Sequence, residues 1–110
     1  MIQEITTILL LHFYVYSATV SAYAPETVDS RWGGVARWTG ETPVVGLTVA
    51  CPESWRMEWV YIESIGMRQC QDTPATGWYG ETPHIDAFMS SRQEALNHGI
   101  QQLTVWKARK

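Results

Sequence analysis

Apolar and polar positions alternate along most of the chain with a period of two, the period of strands with one buried face. "ATVSAYAP" (residues 18–25) alternates small and apolar residues and stops at Pro25, which predicts a strand. "VVGLTVAC" (44–51) predicts a second, with Leu47, Val49 and Cys51 on one face. "PESWRM" reads as a turn, "EWVYIESIG" (58–66) as a strand ending at Gly66, and "MRQCQD" (67–72) as its hairpin partner. Strand geometry places Arg68, Cys70 and Asp72 on one face of that partner. "HIDAFM" is a short strand in which Asp86 and Phe88 share a face, and "IQQLTVWKA" closes the chain as another. Between Pro25 and the second strand, residues 26–43 are rich in Gly, Thr and turn formers and predict a long irregular loop.

One stretch has a helical signature instead. "SSRQEALNHG" has Ser91 followed three residues on by Glu94, a capping box, and reaches Gly99, a natural left-handed terminator. The sum is an all-β chain of about six short strands and one short helix, with Gly-rich turns, which predicts a small barrel.

Residues 5–17, "ITTILLLHFYVYS", break the alternation, being apolar except for His12 and the Thr and Ser residues. A membrane-spanning helix needs about 20 apolar residues, so the stretch fits the apolar region of a secretory signal or a retained anchor. The preceding "MIQE" has no Lys or Arg, and small residues permit a cut near Ser17 or after Ala22. The alternative is a first strand that starts early. With an export segment the chain divides into residues 1–17 and a domain over 18–110. Any contact with a membrane is expected through the first segment alone.

The 110 residues allow one domain, and the 45% apolar content is enough for one small core. The net charge is −3 and the basic residues are scattered, which gives no nucleic-acid surface. Six Trp and five Tyr supply buried area or flat platforms for sugar rings. Cys51 and Cys70 are an even pair, which in an exported chain favours a disulfide. Two cysteines offer too few ligands for a metal site, and neither His84, read as a loop cap, nor His98, near a helix end, completes one. No metal or cofactor is expected.

The chain has three aspartates, and two of them, Asp72 and Asp86, flank the aromatic loop "TPATGWYGETPHI". A carboxyl in a partly apolar groove resists ionisation and can donate a proton to a leaving oxygen. Asp86, between Ile85 and Ala87 and near Phe88, suits that role, and Asp72 is placed to orient it. Asp72 before Thr73 and Pro74 equally suits a turn cap.

From residue 18 to residue 107 the order of these features resembles the 3D domain, named for three aspartates. That domain is similar to the catalytic barrel of the membrane-bound lytic transglycosylase A family and to small secreted cell-wall proteins. The resemblance rests on "VSAY", "TGETPVVGLTVA", "VYIESIG", "QDTPATGWYG", "HIDAFM" and "SSRQEALNHGIQQLTVWK". It implies a six-stranded double-psi β-barrel with one short helix. Asp86 matches the aspartate implied as catalytic and Asp72 the second. Cys51 stands where the family has its first aspartate. If the barrel brings these motif positions together, a Cys51–Cys70 bridge takes over that aspartate's contact. Trp78 and Tyr79 lengthen the loop and are expected, with Tyr23, to bind substrate.

The function implied is cleavage of the MurNAc–GlcNAc β-1,4 bond of peptidoglycan by an exported, monomeric lytic transglycosylase. The alternatives are a glycan-binding module of the cell wall without turnover and a phage-associated lysis or structural protein.

Overall fold

The computed structural model describes residues 12–25, 34–74 and 76–109. Seven strands appear in chain order: β1 (Phe13–Tyr23), β2 (Thr48–Ala50), β3 (Trp59–Ile62), β4 (Gly66–Asp72), β5 (Trp78–Tyr79), β6 (Thr82–Phe88) and β7 (Gln101–Ala108). A 3-10 turn (Glu53–Trp55) precedes β3, and the helix α1 (Arg92–His98) precedes β7. Six strands hydrogen-bond in the ring β1–β7–β3–β4–β2–β6 and back to β1, with β5 paired to the start of β6 at Thr82 and Pro83. The β1–β6 and β2–β4 pairs are parallel and the others antiparallel. The long β1 closes the ring: its first part pairs with β7 and its last five residues with β6. The β-barrel matches the alternation read from the sequence, and α1 its capping signature.

The interior is built from one side of each strand. Ala18 and Val20, Val49, Val60 and Ile62, Cys70, Ile85 and Ala87, and Leu103 and Val105 form one buried cluster with Cys51 and Trp55. Each fully buried aliphatic side chain of this size contributes about 1.5–3 kcal/mol. Trp55, on the 3-10 turn, packs on Tyr16 (centroids 4.8 Å) and edge-on against Trp78 (5.9 Å). Cys51 and Cys70 form a disulfide inside the barrel, with Cα atoms 5.5 Å apart. Both are fully buried.

At α1 the sequence signature becomes geometry. The Glu94 N–H donates to Ser91 Oγ (3.2 Å), and Gly99 takes φ 66° and donates to the Ala95 carbonyl. The Glu94 carboxylate reaches one residue further back than in a standard box, accepting from the Ser90 N–H (3.2 Å).

Several boundaries differ from the alternation. β1 starts at Phe13, inside the apolar segment and upstream of the boundary drawn at residue 17, with Phe13–Ser17 paired to β7. A cut after Ala22 would remove all of β1 but Tyr23. Residues 1–11, the rest of the expected signal or anchor, lie outside the described residues, as do Asp29 and the 26–33 part of the expected loop. β2 is only three residues long. Ahead of it, the amides of Leu47 and Thr48 both fold back onto the Val44 carbonyl (3.1 and 2.9 Å), and Gly46 takes φ 85°. That turn leaves Val44 and Val45 exposed. β3 stops at Ile62, so Gly66 opens β4 and Glu63, Ser64 and Ile65 form the turn.

Candidate functional site

A one-residue irregularity decides which side chains meet. In the β2–β4 pair Val49 aligns with Cys70 but Ala50 aligns with Asp72, so Gln71 is the extra residue of a bulge. An unbroken β4 would point Asp72 the same way as Cys70, as the sequence reading expected. That expectation is corrected: Cys70 enters the core, while Asp72 aligns with Ala50 and stays partly exposed. The same Ala50 pairs with Asp86 on β6, and Asp86 pairs with Ser21 on β1. Ser21, Asp86, Ala50 and Asp72 therefore form one row across four strands. Residues aligned in this way project from the same face of a sheet. The two aspartates leave the face opposite the core, two strand spacings or roughly 10 Å apart along the row. Between them in the row stands Ala50.

Tyr23 lies two residues beyond Ser21 on β1, so it shares that face. It aligns with Phe88, and the rings lie 5.1 Å apart. The Tyr23 hydroxyl oxygen is buried and has no hydrogen-bond partner among the described residues. Burial first, and then the charges of Asp72 and Asp86, hold the phenol well above the ordinary tyrosine range. One hydroxyl thus feels both carboxylates.

Asp72 also does the work of a loop anchor. Its Oδ1 accepts from the Arg37 N–H (3.0 Å) and the Thr73 N–H (2.9 Å). Beside it the Trp38 N–H donates to the Gln71 carbonyl (3.0 Å), and the Thr48 hydroxyl donates to Gln71 Oε1 (2.7 Å). The turn-capping reading of Asp72 is realised, whereas the orienting contact expected between Asp72 and Asp86 is not: among the described residues the two carboxylates share a face without bonding to each other.

Asp86 has different company. His84 and Asp86 are two apart on β6 and share a face. The Ser21 hydroxyl bonds to Asp86 Oδ1 and lies 2.8 Å from His84 Nε2, while His84 Nε2 and Asp86 Oδ1 are 3.3 Å apart. On the other side of the ring, His84 Nδ1 is 2.7 Å from the Thr76 carbonyl oxygen. The His84 N–H donates to the Gly77 carbonyl (3.0 Å). Gly77 lies so close to Pro52 that an added Cβ would meet the Pro52 Cα at 3.2 Å, so a bare backbone there brings the loop in. Tyr79 packs its ring on His84 with the centroids 5.1 Å apart and the planes tilted by 30°. The Asp86 side chain keeps 22% of its surface accessible against 11% for His84, so the carboxylate is the open end of the cluster.

Of the residues expected at the site, Asp72, Asp86, Tyr23 and Tyr79 share one face of the sheet. Trp78 does not join them: it aligns with buried Pro83 and packs against Trp55. His84 caps the loop as expected, and His98 bonds through Nε2 to the Val20 carbonyl (3.2 Å). Ser21, and the link from His84 to Asp86, were not anticipated. The signal for the second was the His-x-Asp spacing on a strand. A separate groove of about 460 Å³, with Ile65, Arg68, Phe88, Met89, Asn97 and His98 in its walls, lies beside α1 and includes neither aspartate. No family model and no curated protein matches the chain.

Proposed function

We propose that the chain is a 3D-type double-psi barrel, exported from the cell, that acts on peptidoglycan, with Asp86 as the acid and base of a lytic transglycosylase. The observation that carries this reading is the row itself: two carboxylates on one face, separated by an alanine, with a buried phenol, unpartnered among the described residues, sensing both. The buried disulfide supports an oxidising compartment. The two parallel pairings in a six-stranded ring support the barrel type.

In the reaction Asp86 protonates the glycosidic oxygen as the C1–O4 bond breaks. The 6-hydroxyl of the same MurNAc then attacks C1, and the Asp86 carboxylate takes its proton. The products are a 1,6-anhydro sugar and a free 4-hydroxyl, and no water is consumed. Two-carboxylate hydrolysis needs a second group to activate water or attack C1. Asp72 already accepts two backbone N–H bonds through one oxygen, which suits a fixed negative charge better than a base. Tyr79, exposed over His84, offers a ring to a sugar face.

That same anchoring of Asp72 favours a second reading, a glycan-binding module without turnover. The two separate on one experiment: purified domain is incubated with peptidoglycan and the soluble products are analysed by mass spectrometry. Release of 1,6-anhydro-muropeptides that Asp86→Asn abolishes supports the enzyme. Sedimentation with the glycan and no release supports the binding module. Release undiminished in Asp86→Asn overturns the role given to that carboxylate.

A further inference from the structure

We propose that His84 stores the proton that Asp86 donates and passes it through the Ser21 hydroxyl, so that the three side chains work as one acid. The proposal rests on the reading of Asp86 as the acid, and it adds a positioning residue and a relay to it.

The hydrogen-bond chemistry leaves few choices. A carbonyl oxygen only accepts, so at 2.7 Å from the Thr76 carbonyl His84 Nδ1 must bear a hydrogen. Nε2 is left as the nitrogen that exchanges, and it faces the Ser21 hydroxyl at 2.8 Å. A hydroxyl donates one hydrogen and accepts others, and Ser21 has Asp86 Oδ1 on its far side. Two arrangements satisfy every contact. In one, the imidazolium Nε2–H donates to Ser21 Oγ, whose O–H donates to the Asp86 carboxylate. In the other, the Asp86 O–H donates to Ser21 Oγ, whose O–H donates to neutral Nε2. Passing from the first to the second breaks one N–H and one O–H bond and forms two O–H bonds. The proton count and the net charge of the cluster do not change.

The surroundings suit such sharing. His84 is shielded by the Tyr79 ring and by its own burial, so its exchangeable proton faces Ser21 and Asp86. Among the described residues, Tyr79 from β5, Tyr23 from β1 and Asp72 from β4 lie around the cluster, with Asp86 beside His84 on β6 and Arg37 next to Asp72 through its N–H. An imidazole keeps its proton to higher pH than a carboxylate does.

The test combines a spectroscopic and a kinetic readout on the full chain. Ring nitrogen-15 spectra of His84 are followed against pH in the wild type, Ser21→Ala, Ser21→Thr and Asp86→Asn. The relay predicts a persistent Nδ1–H, and a His84 midpoint that falls in Asp86→Asn and in Ser21→Ala and returns toward wild type in Ser21→Thr. Identical titration in all four chains overturns it, whether or not the domain cleaves peptidoglycan. With peptidoglycan as substrate, His84→Gln keeps a donor for Thr76 but stores no proton. It is expected to move the alkaline limb of the kcat profile to lower pH with little change in KM. An unmoved limb overturns the relay. Coupled titration with no anhydro product in any chain keeps the relay and overturns the glycan-cleaving reading instead.

Discussion

Asp72 and Asp86 are fourteen positions apart in the chain, yet both align with Ala50, one on each neighbouring strand. The gap between them is kept by the smallest side chain that still packs. Ala50→Leu is expected to fill it. Overpacking at a buried position costs about 1–3 kcal/mol, which urea unfolding measures. The same substitution is expected to abolish release of anhydro-muropeptides in a chain that still folds. Wild-type release from folded Ala50→Leu would mean that substrate does not lie across this row.

Tyr23 separates stability from function. Its hydroxyl is buried without a partner among the described residues, so Tyr23→Phe removes an uncompensated polar group. At pH 7 the variant is expected to be as stable as the wild type or more stable by up to about 1 kcal/mol, and to lose glycan binding. The alkaline limb carries a second signature. The folded phenol holds its proton above its ordinary range, whereas in the unfolded chain it ionises near pH 10. Above that pH the unfolded state binds fewer protons than the folded state, so stability falls as pH rises and keeps falling until the folded phenol also ionises. Urea midpoints between pH 9 and 11 are expected to drop less steeply in Tyr23→Phe than in the wild type.

Lys107 faces inward with Leu103 and Val105, and its Nζ lies 2.6 Å from Glu58 Oε2 and over the rings of Tyr14 (5.5 Å) and Trp55 (5.9 Å). Removing one partner of a buried pair strands the other charge. Lys107→Met is expected to cost about 3–5 kcal/mol, and Lys107→Met with Glu58→Leu considerably less. A double-mutant cycle from urea unfolding measures the difference.

Cys51 and Cys70 are joined across a separation of 19 residues. In the chain-entropy estimate a loop of this size stabilises by about 3 kcal/mol, and replacing both cysteines by serine is expected to lower the urea midpoint accordingly. Because both sulfurs are shut in the core, dithiothreitol is expected to leave the bond intact in buffer and to reduce it once urea opens the barrel. Thiol titration with and without urea reads this directly.

The longer strands, the helix and the shared face of Asp86 and Phe88 were legible in local pattern. Period two follows from the pleat of a single strand, and the capping box and Gly99 act within one helical turn, so neither needs distant residues. Asp86 and Phe88 share a face for the same reason. Less was visible where the chain is short or irregular. Val44–Leu47 has a strand-like composition but closes a turn because two amides share one carbonyl. The first half of β1 reads as a signal because the aromatic and β-branched residues that favour strands are also apolar, although Tyr14 and Val15 stay exposed on the barrel.

Composition and spacing alone thus determined an all-β chain with one capped helix, a candidate disulfide and two acidic positions at the ends of an aromatic loop. Only the tertiary structure decided that the acids share a face. That outcome depends on a bulge at Gln71, which turns Asp72 away from the side taken by Cys70, and on a parallel pairing that sets Ser21 beside Asp86. A bulge is chosen by the fit of two strands against each other, and parallel neighbours are brought together by distant parts of the chain. Neither leaves a mark in the local order of residues, so the relationships on which the chemistry depends came into being only when the ring of strands closed.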